Sequence, residues 1–169
     1  MEHRIRALEA RLEALEGVEA IRALKARYGE LVDSRFDEGG LLPRARVAPI
    51  ADAIARLFTE DAVWDGAALG ISRGRDEIRE RFLASTLTFS WHFFVKPQIE
   101  VDGDRATGRW DILSPCTMPG DRPFWMVGVE DDRYRREDGV WKHESMKLRV
   151  VFMSPHDRGW ARRGMGARS

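Results

Sequence analysis

The apolar positions of the first fifteen residues, Ile5, Leu8, Leu12 and Leu15, step by three, four and three. That spacing is the seam of a heptad helix, with Glu and Arg filling the other faces. Two heptads are too few to hold as an independent coiled coil, so residues 1–17 are expected to be a helical extension that docks on something. Gly17 is expected to loosen the seam. A second helical stripe runs through Ile21, Leu24, Tyr28 and Leu31 or Val32 and ends at Asp33. Residues 34–48 carry two glycines, a proline and scattered arginines, and read as a loop. Pro49 fits the first turn of a short helix running to Phe58. Residues 61–65 read as a strand, 66–74 as a turn or hairpin, and 76–87 as a helix with Ile78, Phe82 and Leu83 on one face.

From residue 89 onward the chain reads as strands. Runs at 89–101, 105–118, 124–136 and 140–153 are parted by Asp102, Gly103 and Asp104, by Pro119 and Gly120, and by Asp138 and Gly139, all hairpin signals. Three helices followed by an antiparallel meander is an α+β arrangement. A strongly curved, mostly antiparallel sheet with the N-terminal helices packed into it makes a cone-shaped α+β barrel whose mouth can hold a ligand. Residues 1–153 are read as one domain. Residues 154–169, rich in Arg and Gly, are read as a mobile tail or a strap over a neighbour.

Composition narrows the function classes. Lys plus Arg and Asp plus Glu number 28 each, so no global field draws in nucleic acid. No run approaches the ~18 apolar residues of a membrane span, and the charged N-terminus lacks the apolar core of a signal peptide. The single cysteine, Cys116, excludes an intrachain disulfide framework and suits a cytoplasmic protein. His3, His143 and His156 show no metal-ligand spacing, and residues 70–74 lack the lysine and spacing of a phosphate loop. Six tryptophans and eight phenylalanines are a generous supply for core and for the lining of a cavity.

Two residues carry candidate chemistry. Asp33 closes the second helical stripe, where a carboxylate opposes the helix dipole and so calls for a reason. His92 opens a strand-like run, HFFVKPQIEV (92–101). An imidazole bonded to a buried carboxylate is a general base that works near neutral pH. Lys147 and Arg149 share one strand face and Met146 and Leu148 the other, so both basic residues face the cone or neither does. Trp91 and Phe93 have opposite parity to His92 and are expected to face away, into a subunit interface.

Five segments, EAIRALKARY (19–28), LVD (31–33), LFTEDAVW (57–64), ATGRW (106–110) and DRYRREDGVW (132–141), carry a resemblance. In this order they resemble the SnoaL-like branch of the nuclear-transport-factor-2-like superfamily. Within it the chain is most similar to the bile-acid 7α-dehydratase type, with kinship to scytalone dehydratase and hexachlorocyclohexane dehydrochlorinase. The resemblance implies a cone-shaped barrel, often trimeric, working without metal or organic cofactor. It implies a base at His92 paired with Asp33, assistance from Tyr28, and a basic residue at Arg149 or Lys147 that stabilises an enolate oxygen. The segment 36–48 is longer than the family pattern.

The chemistry implied is loss of water, or migration of a double bond, in a hydrophobic cyclic carbonyl or hydroxy compound of steroid, terpenoid or polyketide type. The expected lining is Phe58, Trp64, Phe82, Phe89, Phe94, Trp110, Ile112 and Val127. The rivals are an isomerase or cyclase that abstracts a proton without losing water, and a non-catalytic carrier or accessory subunit of the same fold. The expected partners are a hydrophobic small molecule and further copies of the chain, as a trimer or dimer, with neither nucleic acid nor membrane.

Overall fold

The computed structural model describes residues 1–37 and 40–157. The two expected N-terminal helices are one, α1 (Glu2–Asp33), of 32 residues. Gly17 does not interrupt it. A Cβ there would lie 3.3 Å from a Val101 methyl and 3.5 Å from the Trp141 ring, so the glycine lets the helix pack closely on the sheet. Before it, the side chains of residues 1–13 are exposed; beyond it, Ile21, Lys25, Tyr28, Leu31 and Val32 are buried.

The expected loop at 34–48 holds a small hairpin, β1 (Phe36–Asp37) and β2 (Gly40–Leu41), and then the start of a helix. That helix, α2 (Arg44–Arg56), begins directly after Pro43, five residues earlier than Pro49 suggested. Pro43 occupies the N-cap, and Pro49 sits inside the helix, where it costs a backbone donor but leaves Val47, Ala51 and Ile54 facing the core. Strand β3 (Phe58–Asp65) follows, then a 3-10 turn (Ala67–Leu69), β4 (Ile71–Arg73) and α3 (Gly74–Phe82). Helix α3 stops well short of residue 87. The carbonyls of Phe82 and Ala84 are taken by the Arg35 guanidinium, at 3.1 and 3.4 Å, and Ser85 Oγ accepts the Leu87 N–H at 3.0 Å.

The strands are β5 (Phe89–Ser90), β6 (Phe93–Asp102), β7 (Arg105–Met118), β8 (Arg122–Glu137) and β9 (Val140–Pro155). The sheet order is β4-β3-β9-β8-β7-β5, with β6 also on β7, and all pairs are antiparallel except β3 with β9. Register shifts after Val95, Val127 and Arg133 mark irregularities that bend long strands into a half-barrel. The three helices lie in its concavity. Three apolar clusters fill the interior, centred on Tyr28 and Phe58, on Trp110 and Tyr134, and on Ile112 and Phe124; Phe94 packs against all three.

The convex face is unusually greasy. Phe93, Leu113, Val127 and Phe152 form one row of cross-strand partners along it, and Trp91 beside them is 48 % exposed, as strand parity predicted. Among the described residues no helix is long and apolar enough to cross a membrane. Ser154 and Pro155 belong to β9, and the rest of the expected tail from 158 onward lies outside the described residues.

Candidate active site

Asp33 ends α1, and His92 sits in the two-residue break between β5 and β6 rather than within a strand. The break is tied to β7: the Trp91 N–H donates to the Pro115 carbonyl, and Ser114 Oγ donates to the Trp91 carbonyl at 2.6 Å. Freed from strand pairing, the His92 N–H donates to Asp33 Oδ2 at 3.0 Å, and the His92 ring reaches Asp33 Oδ1 through Nδ1 at 2.6 Å. One carboxylate thus grips both the backbone and the ring of the same residue. An ionised carboxylate only accepts, so Nδ1 carries the proton and the Nε2 lone pair is left free. The ring lies parallel to Phe94, 12° between planes, which fixes its second degree of freedom. Gly29 allows this: a Cβ there would stand 3.2 Å from Phe94, so the space on that helix face belongs to a packed ring and not to a ligand.

His92 opens on a cavity of about 400 Å³ with Tyr28, Val32, Trp64, Phe82 and Arg35 in its wall. Tyr28 accepts a hydrogen bond from Trp64 Nε1 at 3.1 Å. Burial raises its phenol above the ordinary value, so it stays protonated with its own O–H still to give. Arg35 is buried, and burial lowers its pKa to about 10. Among the described residues its hydrogen bonds run to the carbonyls of Val32, Phe82 and Ala84, and no carboxylate forms an ion pair with it. Ser90, Ser85 and Thr86 add hydroxyls to the same wall.

Of the residues expected at the site, the structure brings His92, Asp33, Tyr28, Trp64, Phe82 and Phe94 together. Phe58 lies beneath Tyr28 as core. Trp110 and Ile112 are also core, in the two neighbouring clusters. Phe89 and Val127 are corrected: Val127 pairs with exposed Leu113, and Phe89 precedes inward Ser90, so both face outward. Arg149 and Lys147 are corrected too. Both are exposed on the convex face, paired with Val129 and Asp131, while Met146 and Leu148 take the inner face. The parity argument held; the inner set was the apolar one. Arg35 was missed because it sat in a segment read as loop.

A second ionisable group lies inside the cone, against the rings of Tyr28 and Phe94. Lys25, fully buried, pairs with Glu130 and, at 2.8 Å, with Asp132. Tyr134 donates to Asp132 at 2.8 Å and accepts from Trp110 at 3.0 Å. Burial opposes the Lys25 charge, but Asp132 and Glu130 outweigh it and leave the pKa raised. Neither ring nitrogen of His143 has a hydrogen-bond partner among the described residues; burial and Lys25 hold its pKa well below the ordinary value. Alternation along β8 aligns Glu130, Asp132 and Tyr134 with Phe124 and Met126, so this inward polar run was readable in principle.

Burial raises the Asp132 pKa from 3.8 to about 6. The folded chain then binds that proton more tightly than the unfolded chain does. Its contribution to stability is complete below 3.8 and lost as pH rises through about 6. Denaturant melts of wild type and Asp132→Asn are expected to diverge with pH across this window, with the wild type losing stability relative to the variant as pH rises.

Comparisons with known proteins agree with this fold. Rv2910c, an uncharacterized protein of Mycobacterium tuberculosis, is 33 % identical over 97 residues, which cover 54 % of this chain and 65 % of its own length. The chain therefore spans less than two thirds of that relative. Among solved structures, a type-2 hexachlorocyclohexane dehydrochlorinase (LinA) superposes with a TM-score of 0.69 at 22 % identity, over 83 % of this chain and 89 % of its own. A scytalone dehydratase-like protein from Novosphingobium aromaticivorans does so at 0.68 and 20 % identity, over 83 % and 87 %. An NTF2-like protein from the same bacterium is 26 % identical with a TM-score of 0.67, over 85 % and 88 %. The SnoaL-like domain model matches residues 48–147, more than half of the chain, and the chain belongs to the SnoaL-like family, with the NTF2-like α+β cone.

Proposed function

We propose that the chain is a lyase-type enzyme that removes water from a hydrophobic cyclic compound bearing a carbonyl group and a hydroxyl β to it. The observation that carries this reading is the double grip of Asp33 on His92 at the wall of a largely apolar cavity. A carrier needs no such fixed tautomer. His92 Nε2 takes the proton α to the carbonyl, and the C–H pair becomes the enolate π bond. The enolate then collapses: its carbonyl re-forms and the π pair moves to make the Cα=Cβ double bond. The C–O bond breaks with its pair going to oxygen, and the same imidazolium gives that oxygen its proton, so that water departs. Asp33 stabilises the imidazolium between the two steps. Tyr28 donates its O–H to a substrate oxygen. Arg35 takes the role first expected of Arg149 or Lys147: a buried guanidinium that forms no ion pair with a carboxylate among the described residues stabilises the negative charge that develops on the carbonyl oxygen. The free, buried thiol of Cys116 suits a reducing cytoplasm. The dehydrochlorinase and dehydratase named among the structural neighbours lend the elimination class further support.

The test is a panel of steroid, terpenoid and aromatic β-hydroxy ketones, assayed for loss of water by mass spectrometry. For a responding compound, Arg35→Met is expected to lower kcat by about 100-fold. Arg35→Lys, which keeps the charge but not the fork, should retain part of it. Conversion without a change of mass would replace dehydration by isomerisation at the same dyad. Binding without any conversion, unchanged in His92→Gln, would replace catalysis by carriage.

A further inference from the structure

The first half of α1 stands clear of the domain. Ile5, Leu8, Leu12 and Leu15 are 49, 58, 57 and 63 % exposed, an aliphatic stripe in water along a formed helix. The charges flanking the stripe are also unused. Arg4, Glu9, Arg11 and Glu16 make no ion pair among the described residues, whereas Glu13, on the opposite side, is tied to Arg136 at 2.6 Å. That ion pair and the close packing of Gly17 on Val101 fix the helix to its own domain before any partner arrives.

Heptad geometry makes the pattern specific. With Ile5 and Leu12 at a and Leu8 and Leu15 at d, Arg4 and Arg11 occupy g and Glu9 and Glu16 occupy e. In a parallel, in-register pair, each g residue meets the e residue of the next heptad on the partner. Arg4 then faces a second Glu9, and Arg11 a second Glu16, so every flanking contact is attractive. In an antiparallel pair g meets g and e meets e, which sets Arg4 against Arg11 and Glu9 against Glu16. We propose that residues 4–16 form a parallel, in-register coiled coil with the same segment of a second copy of this chain. Two heptads are marginal alone. Here the strands are already helical and anchored, so pairing costs little ordering.

The experiment uses the full chain carrying Leu8→Cys, oxidised at micromolar concentration and run without reductant. Equal d positions face each other in a parallel pair, so Leu8→Cys alone is expected to double the 19.4 kDa mass. Arg6→Cys, on the outer face, should not, and neither should wild type, whose Cys116 is buried. Adding Arg4→Glu and Arg11→Glu should suppress the crosslink, and adding Glu9→Arg and Glu16→Arg to that chain should restore it. A crosslink that appears only when Leu8→Cys is mixed with Leu12→Cys would mean antiparallel strands and overturn the proposal. So would no crosslink in either case.

Discussion

Replacing His92 with glutamine is expected to lower the turnover of a responding substrate by about 100- to 10,000-fold, the range general acid–base groups usually supply. Glutamine fills a similar space and can still donate to Asp33, so the backbone clamp at Oδ2 and the cavity wall should survive. Substrate affinity is then expected to change little while kcat collapses. Asp33→Asn makes a complementary prediction. An amide NH2 turned toward Nδ1 favours the opposite tautomer and puts the proton on Nε2, where the lone pair is needed. Its loss should approach that of His92→Gln, although the residue touches no substrate. A reading in which His92 merely packs on Phe94 predicts neither effect.

Lys25→Met is expected to cost about 3–5 kcal/mol of folding stability, the usual penalty for stranding the partner of a buried ion pair. Two carboxylates, Glu130 and Asp132, share this one cation, and neither has solvent to fall back on. The loss should be greater at pH 8 than at pH 5. Asp132 already titrates near 6 with Lys25 present, and protonation is the relief open to it once the lysine is gone. The cost should also be largely undone by adding Glu130→Gln and Asp132→Asn, which remove the charges themselves. Urea midpoints of the single and triple variants at both pH values check both expectations. If Lys25→Met is as stable as wild type, the buried charges do not hold the cone together.

The architecture was legible where periodicity was long and uninterrupted. The strands from residue 105 onward fall where alternation and the turns at Pro119 and Gly139 put them, because a two-sided sheet demands strict parity. Legibility failed where a local signal had two readings. Gly17 reads as a helix break, yet the structure uses it for close approach to Val101. Pro49 reads as a helix start, yet Pro43 had already supplied one. The dyad was visible only through the pairing of Asp33 with His92 in a family pattern, since 59 positions separate them and no spacing rule links them. Arg35 was hidden because its work is tertiary: it binds the end of α3, 47 residues away. Lys25 was hidden because one lysine among many on an amphipathic helix gives no sign that two carboxylates wait on a distant strand.

The most direct test of the central claim is solvent-proton exchange at the substrate α-carbon. A responding ketone would be incubated in D2O with wild type, His92→Gln and Asp33→Asn, and followed by mass spectrometry. The dyad predicts deuterium uptake, or loss of water, with wild type and its near-complete loss in both variants while the ketone still binds. Exchange that persists undiminished in His92→Gln would contradict it and move the base elsewhere in the cavity.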